Sequence, residues 1–174
     1  MSSPFGAWDA RLSVRLQIAR RPGLLRRLAI LLAHSGDSWF WLLGLAIVWL
    51  VGPETWKGRS LLLAAGILVT AVLVLALKFT IRRQRPEGDW GAIYRRTDPH
   101  SFPSGHAARA FLLPVLAVVT GPAWFAGALW VWAPLVALAR VAMGVHYISD
   151  ILAGAVLGVV IGLIFLQLTG LFFR

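Results

Sequence analysis

The sequence contains no cysteine, so disulfide bonds and thiolate chemistry are excluded and the redox compartment stays open. Charged residues are also few: they make up 14% of the 174 residues, against 59% hydrophobic residues. The mean hydropathy is +0.76. A soluble domain of this size needs far more polar surface to cover its core. The composition therefore predicts a membrane protein of one domain.

Acidic residues are scarce as well. The chain has 7 Asp and Glu against 17 Lys and Arg, and its formal net charge is +10. The basic residues form two clusters, one at the N-terminus and one at 78–96. Anchoring by phospholipid head groups explains the first cluster, and binding of an anionic substrate better explains the second. Nucleic-acid binding is disfavoured, because the basic residues lie at predicted membrane edges and no base-stacking groove is evident.

No segment has the alternating pattern of a strand, so the predicted fold is all-α: an integral membrane helical bundle in a single domain, 1–174. Residues 8–34 are predicted to form an amphipathic helix in the membrane interface, broken at Pro22-Gly23, and no cleavable signal peptide is recognised. The bundle at 38–174 is predicted to hold about five transmembrane helices. Their approximate bounds are 38–51, 60–79, 107–120, 123–142 and 148–172.

Two further features of the chain lead to predictions. In the last span, Gly154, Gly158 and Gly162 recur every four residues, which predicts that another helix packs closely against it. The one long polar loop, 80–105, is more typical of a functional segment than of a passive linker. Several polar residues of this loop either contact a substrate head group or are simply solvated: Arg82, Arg83, Arg95, Arg96, Asp98 and His100. Asp37, in the turn before the first span, is interpreted as a helix cap.

Three polar groups stand out from the apolar background, and together they suit a phosphate ester. Such a site needs cations around the phosphoryl oxygens, backbone N–H donors, a nucleophile and an acid for the leaving group. Lys78, Arg85 and Arg140 are the candidate cations, although a single one of them would more simply be explained as snorkelling at a membrane edge. Lys78 and Arg85 share one helix face if the second span continues that far.

The remaining requirements fall on two short segments. Ser104 and Gly105 form a turn at a helix start, where free N–H groups suit an anion, and His106 follows as a candidate acid. His146 and Asp150 are four residues apart, so on a helix they face each other. Asp150 would then hold the proton on one ring nitrogen and leave the other nitrogen for attack.

The motifs Lys-x6-Arg-Pro, Pro-Ser-Gly-His and Arg-x5-His-x3-Asp, in this order over 78–150, resemble the signature of the type 2 phosphatidic acid phosphatase family. That superfamily also includes the vanadium haloperoxidases. The resemblance implies a reaction without metal or other cofactor, in which His146 becomes a phosphohistidine oriented by Asp150. It implies His106 as general acid, with the phosphate bound by Lys78, Arg85, Ser104, Gly105 and Arg140. Ala139 departs from the family, which usually has serine there, and a lost hydroxyl would weaken support for phosphate or for Arg140.

The predicted function is hydrolysis of a lipid phosphomonoester or diphosphate by an integral membrane enzyme. Isoprenyl diphosphate, phosphatidylglycerophosphate and phosphatidic acid are the first candidate substrates, with lipid A phosphate after them. A lipid phosphotransferase and a non-catalytic lipid-binding protein remain as alternatives. The expected location is the bacterial inner membrane, among membrane lipids. The N-terminal arginines favour a cytoplasmic site, whereas the larger bacterial relatives favour an outward one, so the face stays open. The oligomeric state also stays open.

Overall fold

A computed structural model of the chain describes residues 4–18, 22–87, 90 and 98–170. Within these residues the secondary structure consists of seven helices and one isolated antiparallel bridge, between Gln84 and His100, which confirms the all-α prediction. In chain order the helices are α1 (Pro4–Arg15), α2 (Leu24–Ser35), α3 (Ser38–Val51), α4 (Glu54–Ile81), α5 (Gly105–Thr120), α6 (Ala123–Ala142) and α7 (Ile148–Leu168).

Three of these helices, α4, α6 and α7, are each long and apolar enough to cross a membrane, which supports an integral membrane protein. The first predicted span is α3, whose 14 residues extend about 21 Å, short of the roughly 30 Å of hydrocarbon. It reaches the required length only together with α2, from which it is bent by 56°. The described residues therefore contain three candidate spans, or four with the bent pair. The third predicted span, α5, is a shorter apolar helix of 16 residues.

The segment predicted as one interfacial helix forms two helices, α1 and α2. Gly23 lies between them with a φ of 144°, a conformation that suits glycine. The helical conformation is therefore interrupted at Pro22-Gly23, as predicted. In α2, Ala29 and Ala33 are buried in the contact with α6. Leu24 and Leu25 on α2 remain exposed, as expected of a helix that meets lipid. The interfacial position of this region stays a prediction.

The central helix of the bundle is α5, which packs against α4, α6 and α7. Its side chains Leu112, Leu113 and Leu116 are fully buried and pack in one apolar cluster with Leu63 and Ile67 of α4. Burial of most of its surface explains why the middle of α5, from Ala110 to Ala117, is wholly apolar. The central position also means that the first turn of α5 meets the ends of several helices.

The glycine stripe of α7 lies against the start of α5, which confirms the close helix contact predicted from the sequence. A Cβ added at Gly158 would lie 2.0 Å from the carbonyl oxygen of Ala108, and one at Gly154 would lie 2.4 Å from that of Ser104. Both neighbours are backbone atoms, which cannot move away as a flexible side chain can. The two glycines therefore bring α7 within reach of the Pro-Ser-Gly-His turn.

Gly158→Ala is expected to destabilise the protein by about 2 kcal/mol or more, because the methyl group has no room and overpacking costs about 1–3 kcal/mol. Gly127→Ala on α6 is the matched control, since a Cβ there meets no atom within 4 Å. Thermal unfolding of both variants in detergent checks the prediction. Equal midpoints for the two variants would show that the α5–α7 contact is looser than described.

Candidate active site

The helices bring the three motifs to one end of the bundle. The C-terminal ends of α4 and α6 and the N-terminal ends of α5 and α7 surround a cavity of about 150 Å³. Five of the eight predicted site residues line it: Lys78, Gly105, His106, Arg140 and His146. The other three, Arg85, Ser104 and Asp150, are buried within the same region. All eight residues therefore lie at the same end of the bundle.

Lys78 and Arg85 meet, but not on one helix face as the sequence suggested. Helix α4 ends at Ile81, and Arg82 takes a left-handed conformation with a φ of 54°, so the chain turns before Arg85. The two cations meet on the carboxylate of Asp98. Lys78 pairs with its Oδ2, and Nη2 of Arg85 donates to the same atom at 2.7 Å. Asp98 is thus a member of the site and not a solvated loop residue.

His146 presents its two ring nitrogens to different partners. Nε2 lies 3.2 Å from Nη1 of Arg85, on the cavity side, and Nδ1 lies 3.6 Å from Oδ2 of Asp150. The second distance is too long for a hydrogen bond, yet it places the carboxylate beside Nδ1 as the four-residue spacing predicted. Burial, followed by the charges of Arg85 and Arg140, lowers the pKa of His146 well below its ordinary value. The imidazole is therefore neutral at neutral pH, the form with a lone pair to donate.

Asp150 is held from three directions at the start of α7. Its Oδ2 accepts the backbone N–H of Tyr147 at 2.8 Å, and its Oδ1 accepts from Nη1 of Arg83 at 2.7 Å. Its carbonyl oxygen accepts the backbone N–H of Ser104 at 3.0 Å. These bonds fix the carboxylate that faces His146 and tie the second motif directly to the third.

Arg83 also connects the site to the N-terminal helix. Its Nη2 donates to Oδ2 of Asp9 at 2.7 Å. Asp9 and Ser13, both buried, accept the backbone N–H groups of Ser149 and Ile148, at 3.1 and 3.0 Å. Burial alone would raise the pKa of Asp9, but hydrogen bonds from Ser149 and Arg83 lower it overall, so Asp9 is a carboxylate at neutral pH. Helix α1 thereby caps the start of α7, where unpaired N–H groups need acceptors.

The Pro-Ser-Gly-His turn supplies fewer free donors than the sequence suggested. The N–H of Ser104 is already bonded to Asp150, and its Oγ accepts from the N–H of Ala107 at 3.4 Å as a helix cap. Gly105 begins α5 and lines the cavity, where its N–H has no acceptor within the helix. Backbone donation to an anion therefore falls to Gly105 and not to Ser104.

Asp37 is not the helix cap predicted from the sequence. It occupies the N-cap position of α3, but its side chain makes no capping bond. Its Oδ1 instead lies 2.6 Å from Nε2 of His106, and its Oδ2 lies 3.2 Å from Nδ1 of His34. The candidate acid His106 thus has a carboxylate partner, just as His146 has Asp150.

Ala139, the departure from the family pattern, faces away from the cavity. Its side chain is buried in an apolar cluster with Ala29, Ala33, Met143 and Val145, and it is not among the residues that line the cavity. The adjacent Arg140 does line the cavity and is 2% exposed. An alanine at 139 therefore suits the contact with α2.

The other polar residues of the 80–105 loop that were candidates for head-group contact do not line the cavity or lie outside the described residues. Nε of Arg82 donates to the carbonyl of Phe79 at 2.8 Å, and the ring of His100 packs edge-on against the ring of Phe79. Arg95 and Arg96 lie outside the described residues. In the part of the chain that the structure describes, no three His, Asp or Glu side chains come together as a metal site.

The sequence reasoning did not assign four residues of the region to the site: Asp9 and Arg109 were not considered, Asp37 was interpreted as a helix cap, and Arg83 was left between two roles. Arg109 lines the cavity from within α5. A signal existed for two of them, because an ionisable residue within or beside an apolar span is costly and marks a functional site by default. That argument, applied to Asp150, applies equally to Arg109 and Asp37. Asp9, in the predicted interfacial helix, and Arg83, in the polar loop, carry no such signal.

The fold and the cavity together define a class: a helical membrane protein with a cationic cavity, two histidine–carboxylate pairs and room for a phosphoryl group. The profile of the PAP2 superfamily matches residues 59–174, which include all three motifs. The chain belongs to the PAP2 superfamily.

Two relatives match this chain over nearly its whole length. Decaprenylphosphoryl-5-phosphoribose phosphatase of Mycobacterium tuberculosis is 31% identical over 163 residues, which cover 93% of this chain and 90% of the relative. A probable lipid phosphate phosphatase beta of Arabidopsis thaliana is 30% identical over 188 residues, covering 90% of this chain and 86% of the relative. These relatives confirm the prediction that the protein is a lipid phosphatase, a hydrolase of the PAP2 type.

Solved structures of two bacterial proteins share the fold. The PAP2-type phosphatidylglycerolphosphate phosphatase of Bacillus subtilis superposes with a TM-score of 0.77 at 26% identity, covering 98% of this chain and 89% of that one. LpxE of Aquifex aeolicus superposes with a TM-score of 0.69 at 27% identity, covering 90% of this chain and 93% of that one. The helical membrane architecture is therefore that of PAP2 membrane enzymes.

Proposed function

We propose that this protein hydrolyses a lipid phosphate or diphosphate through a phosphohistidine on His146, without a metal ion. The observation that carries the proposal is the position of a neutral, buried His146 among Lys78, Arg85 and Arg140. Three cations around a nucleophile supply the charge that a phosphoryl group requires. The proposal assigns the eight motif residues the roles implied by their resemblance to the family.

In the first step, the lone pair on Nε2 of His146 attacks phosphorus, and the bond from phosphorus to the lipid oxygen breaks. The electron pair stays on the lipid oxygen, which takes a proton from His106. The positive charge that develops on His146 is stabilised by Asp150, which closes from 3.6 Å to hydrogen-bond distance of Nδ1. Lys78, Arg85 and Arg140 hold the phosphoryl oxygens throughout.

In the second step, water attacks the phosphohistidine and the phosphorus–nitrogen bond breaks. His106, neutral after the first step, takes a proton from this water, so it ends in the form in which it began. His146 recovers its lone pair and inorganic phosphate leaves. Asp37 supports His106 in both steps, because a carboxylate at 2.6 Å stabilises the imidazolium that donates the proton.

The substrate is proposed to lie in the membrane, with its phosphate at the helix ends and its chain among lipids. The exposed apolar side chains on the outer faces of α4 and α7 support contact with the bilayer. One relative is named as a phosphatase of decaprenylphosphoryl-5-phosphoribose and one solved neighbour as a phosphatase of phosphatidylglycerolphosphate. Both names support a lipid phosphate as the substrate here. We place the protein in the inner membrane of a bacterium, as both solved neighbours are bacterial.

Phosphate release from purified full-length protein in detergent tests the proposal, with excess chelator and a panel of lipid phosphates and diphosphates. We expect release from at least one lipid, unchanged within about twofold by chelator, because fixed cations replace the metal in stabilising charge. Labelled lipid shows whether the phosphate appears as inorganic phosphate or on a second lipid. Loss of activity with chelator, restored by a divalent ion, would overturn the metal-free mechanism. Transfer to a lipid acceptor would overturn hydrolysis.

A further inference from the structure

Arg109 is a cation of the reaction cavity that none of the three motifs includes. It follows His106 by three residues on α5, so the two side chains share one face of the helix, and both line the cavity. Its Nη1 lies 3.2 Å from where a Cβ on Gly105 would stand. The guanidinium therefore packs directly against the turn proposed to bind the phosphoryl group.

Most of the hydrogen-bonding capacity of Arg109 is unused within the described chain. Nη2 makes one long bond, 3.5 Å, to the carbonyl of Gly36, and the buried Nε has no partner. None of the ion pairs among the described residues includes Arg109; Asp98 in the same cavity pairs with Lys78 and Arg85 instead. A guanidinium carries five donors in a fixed fork, and the two carboxylates whose charges act on Arg109, Asp37 and Asp98, are bonded to other residues. The unused donors are therefore available to an anionic ligand.

The order of groups along the cavity indicates where that charge would lie. The side chain of Arg109 leans back toward the start of α5, so its Nη1 lies beside Gly105 and its Nη2 bonds the carbonyl of Gly36, the residue before Asp37. The guanidinium therefore lies at the reaction end, on the side of the cavity where Asp37 holds His106. On α4, Ala71 and Leu75 precede Lys78, and they line the deeper wall of the same cavity. A leaving group that departs past His106 therefore meets Arg109 first and the apolar wall next.

A single phosphate does not need the positive charge of Arg109. Lys78, Arg85 and Arg140 already surround His146, and a phosphomonoester brings at most two negative charges to them. A second phosphate next to the leaving oxygen would lie beside Arg109, whose forked donors match phosphate oxygens. A lipid with an uncharged alcohol next to the scissile phosphate would leave this cation unmatched.

We propose that Arg109 binds a second phosphate group, joined directly to the scissile one, and thereby makes lipid diphosphates the preferred substrate class. This inference rests on the proposed function, because it takes the scissile phosphate to lie at His146. It assigns no chemical step to Arg109, which acts as a specificity-determining residue.

Binding of small, non-hydrolysable anions to the full-length protein in detergent tests the proposal separately from turnover. The probes are methylphosphonate, methylenediphosphonate and propylene-1,3-diphosphonate, with dissociation constants measured by calorimetry. We expect wild-type protein to bind methylenediphosphonate about tenfold more tightly than methylphosphonate, as one extra charge-assisted contact allows. Arg109→Gln removes this preference and leaves methylphosphonate affinity within about threefold, since the primary cations are untouched. Arg109→Lys, which keeps the charge without the fork, retains part of the preference.

The matched control is Arg59→Gln, the same charge change at the far end of α4, where the guanidinium packs over Trp56. It should leave all three affinities unchanged. Equal binding of the first two probes by wild type would overturn the proposal whatever the variants do. So would an equal loss for both probes in Arg109→Gln, which would place Arg109 in the primary phosphate site. Tighter binding of the propylene probe would overturn the direct linkage of the two phosphates. If the binding preference is found but no lipid is hydrolysed, the proposed function fails and the anion subsite stands.

Discussion

His146→Ala is expected to lower phosphate release from the best lipid substrate by about 10⁴-fold or more, because removal of a nucleophile stops the covalent route and leaves only the effect of binding. The structure gives the reason for so large a loss. Among the described residues that line the cavity, the other histidine is His106, which is engaged with Asp37, and none is a second free imidazole beside the three cations. Steady-state assays on folded protein measure the effect.

A second measurement separates a nucleophile from a base that activates water. Wild-type protein, mixed with a ³²P-labelled substrate and quenched in alkali, should carry label on His146, and His146→Ala should carry none. The matched control is His100→Ala, because His100 packs on Phe79 and does not line the cavity. Activity of His146→Ala within tenfold of wild type, or a label that persists in that variant, would contradict the assignment.

Asp37→Asn is expected to lower turnover of a lipid phosphomonoester by about 10²-fold, within the 10²–10⁴-fold range of general acid catalysis. The amide cannot neutralise an imidazolium, so His106 loses the partner at 2.6 Å that stabilises its proton-donating form. A phosphomonoester is the sensitive substrate, since its alkoxide leaving group needs a proton most. The measurement is kcat for Asp37→Asn, His106→Ala and the double variant.

The double variant distinguishes a positioning role from a structural one. If Asp37 acts through His106, the double variant should be no slower than His106→Ala alone, because the two residues form one unit. Multiplied losses would show that Asp37 acts elsewhere. His34→Gln is the control: His34 also contacts Asp37, at 3.2 Å, but does not line the cavity, and its replacement should change kcat by less than about threefold, as expected of an exposed pair.

The sequence predicted contacts correctly where a residue type at a given spacing has few structural roles. His146 and Asp150, four residues apart at a helix start, were predicted to face each other, and they do, at 3.6 Å. The glycine stripe predicted a close helix contact because only a residue without a side chain tolerates a backbone at such distance. The stripe concerns one helix face, which periodicity describes directly, whereas His146 lies two residues before α7 and meets Asp150 of the first turn across the helix start.

Partners distant in the chain could not be predicted in the same way. Asp37 and His106 are 69 residues apart, and the turn between α2 and α3 that joins them depends on the packing of α2 on α6. Arg85 reaches the site because the chain turns at Arg82, directly after α4 ends at Ile81, and hydrophobicity marked the end of the span but not this turn. The short α3 was taken for a complete span because composition does not reveal the 56° bend that joins it to α2.

The carboxylate of Asp98 makes ligand binding an exchange of counter-ions. Lys78 and Arg85 already share one oxygen of Asp98, so an incoming phosphate must displace a resident anion. Its net affinity is the difference between two sets of ion pairs. A monoanionic phosphate offers little more than the carboxylate it replaces, whereas a dianion offers twice the charge. Affinity should therefore rise with pH as phosphate loses its second proton, near pH 6, and the bilayer's singly charged phosphodiesters should compete poorly for the site.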